Sequence, residues 1–317
     1  MYISDEVSRR NYDLLLKAIG GGECAIFIGA GLSVPIGYPS LQGLLHGMAA
    51  EANIVELQGK AVDKDWMRDF QMIKDSLGLE RYHEYIKGVF DYTKRDLKFN
   101  DVLLSILSIP FCAFVTTNYD PCLEFATMKL PSALKRYIFP YPNLPTPELK
   151  GKHIFHPHGY INPNDSDSVN SIILAEDEFA DAQEITSEFF RALFLNLDVL
   201  FVGFGWNDIV ILNIIEKAKQ TRRSREDIAV KRNLQLFRER YKFALIDNET
   251  FNRDKIEGNY LGRLGIYPII YNKIGNSHNP LNQIIEEIHK TTSSDPVSEI
   301  PTVPPDFFKP LGDVVHG

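Results

Sequence analysis

Six short apolar runs punctuate the chain: 24–29 (CAIFIG), 112–117 (CAFVTT), 153–157 (HIFHP), 198–204 (DVLFVGF), 241–247 (YKFALID) and 266–271 (IYPIIY). They are nearly continuous rather than alternating, the pattern of strands buried on both faces. Between them apolar residues recur at helical spacing. Arg10–Ile19 precedes the first run and Ser40–Glu51 follows it. Trp66–Leu77, Arg81–Tyr92 and Asp101–Leu107 come next with no strand between them. Pro121–Met128, Glu184–Leu197, Ile209–Lys219 and Pro280–His289 complete the set. Strands alternating with helices predict an α/β fold with a parallel sheet and helices on both faces. The helix-only stretch from about 40 to 108 is too long for one crossover, so an inserted helical subdomain is expected there. The body is read as 1–290. The segment 291–317, rich in Ser and Pro, reads as an extended tail whose Phe307 and Phe308 are candidate anchors on the body or on a partner.

Composition narrows the classes. With 317 residues and 44% hydrophobic content, the chain can bury a large core. It has no run of about 18 apolar residues, so no membrane span is expected. The first twenty residues lack the basic-then-apolar order of a signal peptide, and a cytoplasmic location is expected. Cys24, Cys112 and Cys122 are isolated, which excludes a disulfide scaffold and argues against a cysteine zinc site. No metal is expected. The net charge of −8 disfavours a nucleic-acid binder. The basic stretch Lys217–Arg240 stands apart from that balance, as a solvated face or as a docking patch.

Candidate chemistry sits at the ends of the apolar runs. The first run leaves through Gly29-Ala30-Gly31 and Ser33, a form of exit that lets backbone approach a pyrophosphate. No Lys-Ser or Lys-Thr follows, so this is not a P-loop. Val34 stands where a dehydrogenase fingerprint has its third glycine, which disfavours hydride transfer. The second run ends in Thr116-Thr117-Asn118-Tyr119-Asp120, the third in His158-Gly159, and a later one in Gly203, Gly205, Trp206, Asn207 and Asp208. Ligands of open parallel sheets bind at the carboxyl ends of strands, where these four stretches can converge.

Taken together, the four stretches resemble the sirtuin superfamily over roughly residues 20–250, and the Rossmann-like sheet expected here fits it. The GAG-x-S loop of Gly29, Ala30, Gly31 and Ser33 matches its nucleotide loop. Thr116 to Asp120 is similar to its Thr-Gln-Asn-Ile-Asp, and His158-Gly159 matches its His-Gly. The departures also inform. Gly37-Tyr38-Pro39 runs on into Ser40-Leu41-Gln42, without the Asp-Phe-Arg of deacylating members, and the paired zinc cysteines are missing. The pattern is more similar to the sirtuin-like effectors of bacterial antiphage defence, which hydrolyse NAD, some beside a HerA-type ATPase.

That resemblance implies NAD as substrate and cleavage of its nicotinamide–ribose bond. The leaving nicotinamide departs as a neutral base and needs no acid. The site must orient the substrate, shelter an oxocarbenium-like ribose and supply a nucleophile. Asn118 suits positioning, by donating to the ribose or accepting from a water. His158 suits general base work, since an ordinary imidazole titrates near neutrality. The resemblance places Asp120 on the nicotinamide carboxamide, Gly29, Ala30, Gly31 and Ser33 on the pyrophosphate, and Thr117 in the same site. Gly203, Gly205 and Asp208 would border the adenosine side, and Asp247 or Asn248 would meet the adenine ribose. Blander roles stand beside these. Asn118 and Asp120 suit a turn and cap before a helix, His158 a structural turn, and Asp208 an N-cap. His156 shares the parity of His158, but no third metal ligand accompanies the pair. A non-hydrolysing NAD or ADP-ribose sensor and an NAD-dependent deacylase are the alternative functions. With no sensor domain visible, a homo-oligomer is expected, joined by a second protein such as a HerA-type ATPase.

Overall fold

The computed structural model describes residues 3, 5–92, 101–131, 136–145, 153–206, 208–231, 239–256, 259–273 and 279–292. The tail anchors Phe307 and Phe308, and Asn207, lie outside the described residues. Seven strands form one parallel sheet: β1 (Cys24–Ile28), β2 (Ala113–Thr116), β3 (Ile138–Pro140), β4 (His153–His156), β5 (Asp198–Val202), β6 (Lys242–Asp247) and β7 (Ile266–Tyr271). Their order is β3-β4-β2-β1-β5-β6-β7. The helices are α1 (Glu6–Gly20), α2 (Leu41–Glu51), α3 (Trp66–Leu77), α4 (Leu79–Phe90), α5 (Asp101–Ser108), α6 (Cys122–Met128), α7 (Glu176–Asn196), α8 (Ile209–Lys231), α9 (Asn248–Ile256), α10 (Tyr260–Leu264) and α11 (Asn279–Thr292).

The continuous apolar runs become strands because both faces of the sheet are covered. Side chains alternate between the faces, so each run feeds two cores. Cys24, Ile26 and Ile28 of β1 enter one core, while Ala25 and Phe27 enter the other. β5 divides likewise, Leu200 and Val202 against Val199 and Phe201. Helix α7 covers the second face with Phe189, Phe190, Leu193 and Phe194, and α8 adds Ile211 and Ile215. The first face carries α1, α5 and α11, and the same core continues into α2, α3 and α4 through Leu45, Phe70 and Ile86.

The differences from the sequence expectation have local causes. β3 was not anticipated. It is three residues long, ends in Pro140, and lies at the sheet edge, where a missing N–H is tolerated. α7 begins two turns before Glu184, because Glu176, Asp177 and Glu178 form an acidic first turn with no apolar rhythm. Glu178 accepts the backbone N–H groups of Leu174 and Ala175, each at 2.8 Å, and pairs with Lys74 at 3.0 Å. The oxygen that takes those N–H groups also accepts from the Tyr82 hydroxyl at 3.2 Å, so one carboxylate ties α3, α4 and α7. α8 runs past Lys219 to Lys231, and Gln220, Arg222, Arg223 and Arg225 favour the helix without an apolar signal of their own.

The topology selects one place for a ligand. From β1 the chain moves one way to β2, to β3 at the edge and back to β4, and later crosses to β5 on the other side of β1. The strand order therefore reverses between β1 and β5, and the crevice at their carboxyl ends is the switch point of the sheet.

Candidate active site

A cleft of about 400 Å³ opens at that switch point. Its floor comes from the four strand ends singled out above: Gly29, Ala30 and Gly31 after β1, Thr117, Asn118 and Asp120 after β2, His158 after β4, and Gly203, Gly205 and Asp208 after β5. Ser33 stands just behind the floor, and Asp247 lies outside the lining. Asp247 instead accepts from the backbone N–H and the hydroxyl of Thr250, at 3.0 and 2.8 Å, and pairs with Lys273 at 3.3 Å. Those bonds hold its carboxyl below the ordinary range against the opposing effect of burial, which is the largest single influence. Its neighbour Asn248 opens α9 and likewise lies outside the cleft lining.

The glycines after β1 answer first to protein backbone. The Gly29 N–H donates to Val202 O at 2.9 Å, and the Gly31 N–H to Gly203 O at 3.0 Å. A Cβ on Gly29 would stand 2.7 Å from the Gly203 carbonyl carbon, and one on Gly31 2.9 Å from Gly203 Cα. Gly203 itself has φ +65°. Two strand exits thus cross at van der Waals contact, which only residues without Cβ allow. The Ser33 N–H is likewise engaged, by Ala30 O at 2.9 Å. Contact with Gly203 is thus sufficient by itself to require a bare backbone at Gly31, which also lines the cleft. Gly205 differs, since a Cβ there meets nothing within 4 Å.

A separation of effects follows from that contrast. Gly31→Val is expected to lower the melting temperature by several degrees through overpacking of about 1–3 kcal/mol, with or without nucleotide present. Gly205→Val is expected to keep the wild-type melting temperature and, if the cleft takes the NAD that the sequence resemblance implies, to weaken its binding at least about tenfold, because Gly205 lines the cleft. Calorimetric titration of both variants with NAD, beside their thermal melts, checks the pair. Undiminished affinity in Gly205→Val would remove that stretch from the ligand site.

Asn118 is oriented by a short relay. Its Nδ2 donates to Ser33 Oγ at 3.1 Å, and Ser33 in turn hydrogen-bonds the Asp120 carboxylate. A carboxylate only accepts, so the serine proton points at Asp120 and its lone pair at Asn118. That fixes the amide with its nitrogen toward Ser33 and leaves Oδ1 as the free acceptor of the side chain. Below it, Thr116 Oγ1 accepts the Asn118 N–H at 3.1 Å. Asp120 is buried, with Oδ1 accepting from the Cys122 N–H at 3.1 Å. Burial raises its carboxyl, and the bonds from Cys122 and Ser33 pull it back.

The backbone of Asn118 is held from the other side by a buried pair. His156 Nε2 lies 2.6 Å from Glu124 Oε1 of α6, and His156 Nδ1 lies 3.3 Å from the Asn118 carbonyl oxygen. The ring is fully buried and stacks on Tyr160 with centroids 4.5 Å apart. The parity that His156 shares with His158 therefore leads to a carboxylate partner, and the two histidines do different work. Among the described residues no group of three His, Cys, Asp or Glu is placed to hold a metal ion. Glu124 was not singled out in the sequence. It sits amid an apolar helix, LEFA, and its partner His156 on β4 reveals its role.

His158 meets an apolar wall. It packs edge-on against Phe179 and Phe190, with centroids 5.0 and 6.0 Å away. Burial lowers its pKa to about 3, so the imidazole is neutral near physiological pH. Its Nε2 is buried with no hydrogen-bond partner among the described residues. The backbone carrying the ring is held in place: His158 O accepts from the Ile173 N–H at 3.0 Å, and Gly159 turns at φ +74°. A Cβ on Gly159 would come within 2.8 Å of the Ser171 carbonyl carbon.

The rim of the cleft includes residues for which the sequence carried no signal. Leu44, Val62, Trp66 and Phe90 from the α2–α4 region close it with an apolar wall. Read along the chain, Leu44, Trp66 and Phe90 are ordinary core positions of helices, and Val62 is a lone apolar residue in the connection between α2 and α3. Trp206 faces them at φ +55°, packed on Phe201 and Phe204 with centroids 5.2 and 5.1 Å away. That backbone region is unusual for a bulky residue and clusters at functional sites. Asp208 caps α8 by accepting the N–H groups of Val210 and Ile211 at 3.1 Å, and burial raises its carboxyl to about 6.

Residues 112–261 match the model of the SIR2-like domain. The matched span holds the Asn118, His158 and Gly203 stretches, while the Gly29–Ser33 loop precedes it. Among curated proteins, the NAD(+) hydrolase ThsA of Enterococcus faecium is 26% identical over 211 residues, or 61% of this chain and 39% of that protein. The chain therefore spans about two-fifths of the length of that relative. A solved Sir2 homolog–NAD complex aligns at TM-score 0.47 with 12% identity, covering 89% of this chain and 95% of the other.

Proposed function

We propose that the chain is an NAD hydrolase, cleaving the nicotinamide–ribose bond with water to release nicotinamide, ADP-ribose and a proton. The observation that carries this reading is the pair on the cleft floor: an Asn118 amide fixed by Ser33 and a neutral His158 with an unpartnered Nε2. The similarity to a curated NAD(+) hydrolase supports it. Asn118 Oδ1 accepts a hydrogen bond from the attacking water or a ribose hydroxyl and fixes its approach. As the C–N bond breaks, nicotinamide keeps the electron pair and leaves neutral. The water oxygen bonds to the ribose C1′, and its proton passes to His158. Bonding to a cationic carbon makes the water strongly acidic, so an imidazole of low basicity takes the proton late in the step. Main-chain and apolar groups around the cleft keep bulk water from the ribose.

The finer reading is that of a regulated NAD-depletion effector of antiphage defence, cytoplasmic and oligomeric, acting with a second protein such as a HerA-type ATPase. It rests on the motif resemblance and on the need to restrain an enzyme that would exhaust its host's NAD. Among the described residues no helix is long and apolar enough to cross a membrane. Incubating the purified chain with NAD over a range of protein concentrations, with nicotinamide quantified by chromatography, tests the activity. Release without any acylated peptide is expected, rising more steeply than protein concentration if assembly activates. Release only with an acylated peptide would make it a deacylase, and NAD binding with no release at any concentration would make it a sensor.

A further inference from the structure

The sheet carries a second recess at its opposite end. About 280 Å³ in volume, it lies where β6 and β7 begin and shares no lining residue with the cleft. Phe194, Ile215, Leu264 and Tyr267 form its apolar side. Five cations, Lys219, Arg222, Arg223, Arg240 and Lys242, line it against one carboxylate, Glu239.

Most of those charges have visible work in the fold. Arg240 pairs with Glu23 at 2.6 Å and stands 3.9 Å from Asp198. Arg222 donates to Arg240 O at 2.9 Å, and Lys219 donates to Arg263 O. Lys242 is different. It is 7% exposed, and its Nζ reaches only the carbonyls of Leu197 and Arg240, each at 3.4 Å. Those contacts exceed the usual hydrogen-bond range. No ion pair joins Lys242 to a carboxylate among the described residues, and burial together with Arg222 lowers its pKa to about 7 against the more distant pull of Asp198. A buried ammonium without an ion-paired carboxylate is costly, and a methionine of similar shape would be the cheaper residue.

We propose that this recess binds a phosphate-bearing small molecule, its phosphoryl group held by Lys242 and the neighbouring arginines. A phosphoryl dianion offsets more than one cation at once, and guanidinium forks match its oxygens. The volume lies at the lower edge of small-molecule sites, which suits one phosphate with a small organic body against Tyr267 and Leu264. Helix α8 borders both sites: Asp208 caps its start at the cleft, while Lys219 and Arg222 line the recess about 15–20 Å along its axis. The inference is independent of what the cleft binds.

Thermal melts and calorimetric titration of the full chain test it, with inorganic phosphate and ribose 5-phosphate as probes and ionic strength held constant with chloride. In chloride alone, Lys242→Met is expected to melt at or above the wild type. Each probe should raise the wild-type melting temperature by about 2 °C or more, and Lys242→Met should lose that gain. Arg222→Gln, which keeps the buried lysine, should weaken binding at least about tenfold and serves if the methionine variant fails to fold. Gly205→Val, altered in the cleft, should keep the full response. Tighter binding of ribose 5-phosphate than of phosphate identifies an ester as the occupant, and equal binding identifies the free anion. Equal gains in the wild type, Lys242→Met and Arg222→Gln, or no gain in the wild type, would overturn the proposal.

Discussion

Asn118→Ala is expected to lower nicotinamide release from NAD at least about a hundredfold, with the fall in kcat rather than in KM. The side chain sits on the cleft floor with its amide nitrogen tied to Ser33 at 3.1 Å, so its carbonyl oxygen has one orientation to offer. A positioned acceptor acts on the reacting water more than on the bound ground state, and its loss therefore appears in turnover. The fold should survive. The N–H of residue 118 still bonds Thr116 Oγ1, and the carbonyl still faces His156. Ser33→Ala provides a graded companion: it leaves Asn118 in place but removes the group that orients it, and should fall between the wild type and the alanine variant. Initial rates over a range of NAD concentrations, with circular dichroism for folding, decide the matter. Turnover within threefold of wild type in a folded Asn118→Ala protein would remove the residue from the mechanism.

His158→Phe is expected to abolish turnover by a similar factor and to change the pH dependence of stability in a definite direction. In the native state burial holds the imidazole pKa at about 3, against about 6.5 for an exposed histidine. Between those values the unfolded chain binds a proton that the folded chain does not. The contribution of His158 is therefore complete above about pH 6.5 and is lost as pH falls toward about 3. At about pH 5 the loss is about 2 kcal/mol relative to neutral pH. Phenylalanine keeps a ring against Phe179 and Phe190 and binds no proton. The variant should thus gain on the wild type as the solution is acidified. Asp208 pulls the other way, since its raised carboxyl favours the folded state over the range from about 4 to about 6. Comparing the two proteins cancels that effect, because both carry Asp208. Urea titrations at about pH 7 and pH 5 measure the gap. A gap that does not grow on acidification would mean that His158 is solvated in the folded protein. A folded phenylalanine variant with normal turnover would exclude His158 as the base.

His158 also shows how far a residue's chemistry can be read before its surroundings are known. Its place at a strand end made it a candidate base with an ordinary pKa. The structure keeps it in the cleft but sets two phenylalanines of α7, some twenty and thirty residues onward, against it, and the basicity changes accordingly. Gly31 teaches the same lesson. Its need for a bare backbone is plain along the chain, but the neighbour that imposes it, Gly203, lies on another strand. Asp247 ends a strand as expected, and then turns to Thr250 and Lys273 rather than to the cleft.

What the amino-acid order determined by itself is whatever depends on short-range periodicity. Six of the seven strands, the parallel α/β class and the polar exits at the strand ends follow from buried runs, helical spacing and residues that break them. Those signals are local, because a strand buried on both faces must be apolar at every position whatever lies next to it. Tertiary structure alone decided the strand order, the contact between two glycine exits, the apolar rim carrying Trp66 and Phe90, and the pairing of His156 with Glu124. Each of these joins residues far apart in the chain through distance, burial or charge. A one-dimensional pattern holds no record of which distant group will fill the space beside a given side chain, and it is that neighbour which sets a residue's protonation, orientation and use.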